Sequence, residues 1–368
     1  LQAERLSLGR MPDDLLDTLA ALAIAGPGVC ALRSLRRTFA KAASLASVST
    51  AAAKIANSFQ TNFNTHDSTV LIRAVAAEMD ADYWRQVLWY CGEGCIQAVI
   101  DEYVHVLVND KPHKTPTNPS EPQEPWDTIA ECFGVALGLK PATLMPDYLE
   151  AKEGTSRLVS LPVQRGVRHA RPLLEDKHET DREGPTTTGR LRDAFNSPFL
   201  PFVLSSTSIG QEGLDFHWYC HAIVHWNLPW NPVDFDQRDG RIHRFKNHAI
   251  RKNLAFDLGF ETLLAEQNLN PWEGVFELAD DRLIGSGQTM DGMKPCWLYE
   301  RGELKSHIPP AEWFPNQFGR AATIERHIPM IPMSQDEERH DRLQKSLAAY
   351  RLVFGQPRQE DMLHYLHR

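Results

Sequence analysis

Between Lys111 and Trp126, prolines stand at positions 112, 116, 119, 122 and 125. Each removes a backbone donor and fixes φ, so neither a regular helix nor a central strand can run through such a stretch. The segment reads as an extended linker or exposed loop. It sets the expected organisation: a helical region over 1–110, the linker over 111–126, an α/β lobe over 127–262 and a C-terminal extension over 263–368.

The first hundred residues carry helical spacing. Leu15, Leu16, Leu19, Leu22 and Ala23 recur on one face, and Gly26-Pro27-Gly28 stops the run as a turn between helices. Ile96, Val99, Ile100, Tyr103, Val104, Leu107 and Val108 mark a second amphipathic helix, and Cys91-Gly-Glu-Gly-Cys95 before it reads as a bend. Residues 175–190 are almost wholly polar and predict another exposed loop. Near the end, Ser334 and Glu337 are spaced as a capping box opening a helix that carries Leu343, Leu347 and Tyr350.

Composition excludes several classes. With 42% apolar and 24% charged residues the chain is ordinary globular material, neither collagenous nor disordered. Its six cysteines are too scattered for a secreted disulfide framework. No apolar run reaches the roughly 18 residues of a membrane span, and Asp13, Asp14 and Asp17 stand where a secretory signal would be basic. No membrane association and a cytoplasmic location are expected. A net charge of -9 argues against a surface that coats nucleic acid, while leaving room for a local basic groove.

From Pro198 to Ala255 the texture changes. Phe202-Val203-Leu204 and Ala222-Ile223-Val224 are short apolar runs that suit buried strands of a parallel sheet, with Leu254-Ala255-Phe256 as a third. Ser206, Thr207 and Ser208 follow the first strand, where open α/β sheets bind ligands. Their hydroxyls and backbone N–H groups suit a nucleic-acid phosphate. Gly210 and Gly213 permit a tight loop, and Asp215 can accept from a ribose hydroxyl or orient an arginine. If Val233–Arg244 is helical, Gln237, Arg241 and Arg244 share a face. Two guanidiniums there suit a triphosphate, because arginine stays charged and donates in a bidentate fork. Gly240 would let another backbone approach closely. From Asp236 to Lys252 six basic residues stand against two acidic ones.

The segment Ser205–Arg244 resembles motifs V and VI of superfamily II helicases and translocases, ATPases built from two RecA-like lobes. Ser206-Thr207-Ser208 through Gly213-Leu214-Asp215 is similar to motif V, and Gln237-Arg238-x-Gly240-Arg241-x-x-Arg244 to motif VI. Trp226-Asn-Leu-Pro-Trp230-Asn-Pro232 between them resembles the Swi/Snf-type branch. The terminal Tyr350–Asp361, Pro295–Tyr299 and Asp82–Tyr103 look like other parts of large bacterial members of that group. The resemblance implies a RecA-like helicase C-terminal lobe with Arg241 and Arg244 as arginine fingers. It assigns Gly213, Asp215 and Gln237 to the nucleotide, and Ser206, Thr207, Ser208 and Arg238 to a nucleic-acid strand. ATP and Mg²⁺ are the implied cofactors, bound mainly by an N-terminal P-loop lobe, and double-stranded DNA the implied partner. Over residues 151–185 the strand expected for motif IV is not evident.

No G-x-x-x-x-G-K-[ST] occurs in the chain. Asp101-Glu102-Tyr103-Val104-His105 spells DExxH but lies inside a helical period, whereas a Walker B carboxylate ends a buried strand. Together with Leu1 in place of Met, this reads as the C-terminal portion of a longer motor, unable to hydrolyse ATP by itself. His217, His221 and His225 beside Cys220 have a four-residue repeat, yet no carboxylate or second cysteine completes a metal set. Buried or interface histidines are expected there, and Trp226 and Trp230 are expected to pack. The rival readings are a non-catalytic DNA- or partner-binding module derived from a helicase lobe and, with less support, a helicase-associated nuclease.

Overall fold

The structure, a computed structural model, describes residues 11–40, 44–110, 124–139, 147–152, 155–160, 170–173, 187–206, 215–264, 270–287, 293–304, 321–330 and 333–354. The prolines at 112–122 and the polar stretch through residue 186 lie outside them. The chain divides into two compact units. The first comprises Leu1–Pro141, Pro198–Leu200 and Glu266–Gly274, and the second Ala142–Ser197, Pro201–Ala265 and Val275–Arg368.

The first unit is helical: α1 (Leu15–Ala25), α2 (Pro27–Thr38), α3 (Leu45–Phe63), α4 (His66–Val75), α5 (Tyr83–Glu93), α6 (Ile96–His105) and α7 (Pro125–Leu137). The turn at Gly26 is as expected. A Cβ there would lie 2.5 Å from the Leu22 carbonyl oxygen, so glycine alone fits between α1 and α2. Cys95, at φ 47°, makes the bend into α6. Beyond His105 the expected continuation widens into a π-helical turn, Val106–Asp110. Successive turns of α3, α6 and α7 bury Ile55 and Phe59, Ile100 and Tyr103, and Ile129 and Phe133, and α2 buries Leu35. Phe133 meets Tyr103 edge-on at 4.8 Å and Phe59 at 6.1 Å. The proline-rich stretch ends inside regular structure: Pro125 occupies the first turn of α7, where a missing N–H is harmless, and Trp126 is buried. Thus α7, placed after the linker by the sequence, packs on α3 within the helical unit.

The second unit is mixed. An antiparallel hairpin joins β1 (Asp147–Lys152) to β2 (Thr155–Ser160), and β3 (Ala170–Leu173) pairs in parallel with β4 (Val203–Ser206). Strands therefore exist between 151 and 185, where none was evident. After α8 (Thr187–Phe195) and β4 come β5 (Ala222–Val224), α9 (Pro232–Gly240), α10 (His248–Leu264), α11 (Pro271–Ser286), β6 (Glu325–His327) and α12 (Asp336–Phe354). β5 pairs in parallel with β6, so the C-terminal extension donates a strand to the lobe.

Three expectations are corrected. Both apolar runs form parallel strands, but Phe202, Val203 and Val224 are exposed rather than buried. Leu254-Ala255-Phe256 is no strand. Leu254 and Leu258 sit one turn apart on the inner face of α10, fully buried against Val275, Ala279 and Leu283 of α11. Ser334 does open α12, yet it pairs with Asp336 rather than Glu337, accepting from its N–H at 3.2 Å and donating to its carboxylate at 2.6 Å. On α12, Leu343 and Leu347 are buried against Leu228 and Phe235.

Candidate functional site

The site begins with a helix start legible in the chain. Asn231 accepts from the Val233 N–H at 3.0 Å and Pro232 fills the first helical position, so Trp-Asn-Pro opens α9. The helix closes at Gly240 instead of running to Arg244. Gln237 is exposed on its last turn, and Arg241, still in helical conformation, stands one turn further on. Arg244 lies past the helix end, in the bend leading to α10, so the three side chains do not share one continuous helix face. Gly240 has open space where a Cβ would point. No atom lies within 4 Å of that position, so the close approach of another backbone expected there is not seen on the Cβ side.

Beyond α9, the motif VI-like residues fold back on the end of the motif V-like segment. The Phe216 N–H donates to the Arg241 carbonyl at 2.9 Å, and Arg244 pairs with Asp215 at 2.8 Å while donating from Nε to the Gly240 carbonyl at 2.9 Å. Asn196, after α8, holds the Asp215 carbonyl at 2.8 Å. Of the expected site residues, the structure therefore joins Asp215, Arg241 and Arg244. Arg238 donates to the Asn227 carbonyl at 2.8 Å, and Ser206 is exposed at the end of β4. Thr207, Ser208, Gly210 and Gly213 lie outside the described residues.

The basic stretch after α9 is not one solvated face. Arg251 is fully buried on α10, donating to the Lys246 carbonyl at 2.8 Å and to the Trp218 carbonyl, with its guanidinium 5.3 Å from the Tyr219 ring. It ties residues 218–219 to the loop that carries Arg244. Asn247 caps α10 from below that loop, accepting from the Ala249 and Ile250 N–H groups at 3.0 and 3.2 Å. Asp239, inside the motif VI-like run, is equally buried, with its carboxylate against His225 and Arg326. Neither Asp239 nor Arg251 was singled out from sequence; an acid on a short helix and an arginine in a basic run carry no sign of burial.

His217 and His225 are buried, His225 stacked on Phe235 at 4.5 Å. Among the described residues no group of three or more His, Cys, Asp or Glu is placed to hold a metal. Burial, followed by the charges of Arg251 and Arg244, holds His217 down at about 3. Burial, followed by Arg251, His221 and Lys252, does the same for His248. Burial disfavours any charge at these rings, and the neighbouring guanidiniums add to the penalty on an imidazolium. Arg244 and Asp215 are both part-exposed, and exposed pairs hold with only about 0–1 kcal/mol. A phosphate can therefore take Arg244 from Asp215 with little penalty. Trp226 and Trp230, expected to pack, are instead 76% and 84% exposed, Trp230 lying 3.8 Å from the Arg339 guanidinium.

Residues 185–246 match the helicase conserved C-terminal domain, whose fold is RecA-like. A protein of Bacillus subtilis (strain 168) described as the uncharacterized ATP-dependent helicase YqhH is 45% identical over 54 residues. That alignment covers 15% of this chain and 9% of the relative. No solved structure matches the chain. The mostly helical chain thus contains a helicase C-terminal domain and, within it, the joined Asp215, Arg241 and Arg244.

Proposed function

Starting from that helicase C-terminal domain, we propose that the chain supplies the second motor lobe of an ATP-dependent helicase or translocase. Arg241 and Arg244 act as arginine fingers on a triphosphate that a P-loop lobe holds together with Mg²⁺. ATP and Mg²⁺ supply the phosphoryl chemistry; this chain contributes cations aimed at the charge that develops on the phosphates. Asp215 stores Arg244 until nucleotide arrives, and Gln237 and Gly213 complete the nucleotide side. Ser206, Thr207, Ser208 and Arg238 grip one strand through its phosphates. The likeness of Trp226–Pro232 to the Swi/Snf-type branch supports tracking along double-stranded DNA, with a cytoplasmic location.

The observation that carries this reading is the junction of the two motif-like segments, made by the Arg244–Asp215 pair and the Phe216–Arg241 backbone bond. Such a junction lets nucleotide at the arginines move the strand-contacting loop. In the full-length protein, R241A/R244A is expected to lower nucleic-acid-stimulated ATP turnover by about 10³-fold or more. Unchanged turnover overturns the assignment and favours the non-catalytic module. The 368-residue chain by itself, with no P-loop sequence, is expected to show no stimulated hydrolysis.

A further inference from the structure

Asp239 is a carboxylate at the centre of the lobe that the proposed chemistry does not use. Its side chain is 2% exposed. One oxygen, Oδ1, lies 3.3 Å from Nε2 of His225, itself fully buried directly after β5. The other, Oδ2, is paired with Arg326 of β6. The two partners come from neighbouring strands: Ile223 is opposite Arg326, and the His225 N–H donates to the His327 carbonyl at 2.8 Å. On its backbone side Asp239 begins the turn to the arginines, its carbonyl accepting from the N–H groups of Ile242 and His243, both at 3.1 Å. One residue thus fastens the β5–β6 pair with its side chain and shapes the approach to Arg241 and Arg244 with its main chain.

We propose that Asp239, held by His225 and Arg326, is a positioning residue for the two arginine fingers, and that β6 of the C-terminal extension is part of the motor lobe through this latch. The proposal rests on the arginine-finger reading above. A buried carboxylate is tolerated when charged and hydrogen-bonding partners surround it, and removing one partner leaves a charge unpaired in a dry site. A loosened latch frees the end of α9 to rotate against β5. The arginines are then presented over a spread of positions. Transition-state stabilisation by a pre-placed cation falls steeply with such spread.

The test uses the full-length protein and follows nucleic-acid-stimulated ATP hydrolysis well below the thermal midpoint, with circular dichroism as the check on folding. D239N keeps the shape and removes the charge. It is expected to lower kcat about tenfold or more while leaving KM for ATP within about twofold, the pattern of an interaction made in the transition state alone. R326Q, at a more exposed site and less apt to disturb folding, is expected to act in the same direction, and R326K to recover most of the loss. D239N/R326Q is expected to be no worse than the more severe single variant, because both break one unit. An R326Q protein with wild-type kcat overturns the latch if R241A/R244A is inactive. If R241A/R244A also retains turnover, the arginine-finger reading fails and the latch falls with it, so the two failures are told apart.

Discussion

The two units hold their helices in place with different balances of apolar and polar contact. In the first, α3, α6 and α7 are joined through Phe59, Tyr103 and Phe133, apolar surfaces that attract without direction. In the second, the segments around α9 are joined by buried polar groups: Asp239 to β5 and β6, Arg251 to residues 218 and 246, Asn253 to the Ala322 carbonyl at 2.9 Å. Directional bonds fix position more closely than hydrophobic contact, and they leave unsatisfied partners when broken. A lobe that must present arginines at a defined place gains from the first property and is exposed to the second.

The sharpest way to break the comparison is to remove one anchor from each unit and read protection segment by segment through hydrogen exchange. Phe133→Ala is expected to lower the stability of α3, α6 and α7 by about 3–5 kcal/mol, the range for a fully buried aromatic truncated to alanine. Arg251→Met keeps much of the apolar volume but strands the Trp218 and Lys246 carbonyls, and about 2–4 kcal/mol is expected from those two lost bonds. Its signature is location: exchange rises at 215–219 and 241–248. An Arg251→Met protein with native protection there removes the distinction between the units.

Acidity separates them in sign. In the second unit, His217 and His248 titrate at about 3 when folded against an ordinary 6.5. The unfolded chain binds protons that the fold refuses, so their contribution is complete above pH 6.5 and is lost as pH falls toward 3, at about 1.4 kcal/mol per pH unit for each histidine. In the first unit, burial raises Asp101 above 3.8, outweighing the influence of nearby Ser34 and Gln97 and the charge of Arg37, which favour the carboxylate. There the fold holds the proton more tightly than the unfolded chain. That contribution is complete below 3.8 and fades as pH rises through the elevated value. Urea unfolding with pulse labelling at pH 7 and pH 4.5 is expected to show the second unit weakened at the lower pH. A His217→Gln variant should shrink the difference, and an unchanged difference would count against burial of a neutral imidazole.

What the sequence discloses follows the same division. Apolar periodicity located α1, α6 and the α1–α2 turn, because one side of a packed helix is written every third or fourth residue. It placed Leu254 in a strand because three apolar residues look alike in either state, and only Leu258 and Asn247 settle the choice. In the site, motif spacing brought out Asp215, Arg241 and Arg244, since family-like residue types recur in order. Asp239, His225, Arg251 and Arg326 stayed hidden as anchors: their partners are main-chain carbonyls, a side chain on a different element 14 residues away, or one nearly ninety positions distant, and no local pattern encodes such a pairing.

The smallest expected effect makes the finest comparison. Ser44 caps α3 in the first unit, accepting from the Ser47 N–H at 3.2 Å, and Ser334, two residues before α12 in the second, accepts from the first helical N–H, that of Asp336, at the same distance. Alanine at either place is expected to cost about 1 kcal/mol locally. The consequences should differ. α3 packs along its length, with Val48, Ala51, Ala52, Ile55 and Phe59 buried, so its frayed end stays a local event. α12 buries Leu343 and Leu347 against Leu228 and Phe235 of the α9 region. Fraying from Ser334 shortens the helix that bears those leucines, and hydrogen exchange should rise on α9 as well as on α12. Ser334→Ala with unaltered protection at 232–240 would show that the polar latch holds α9 without help from α12.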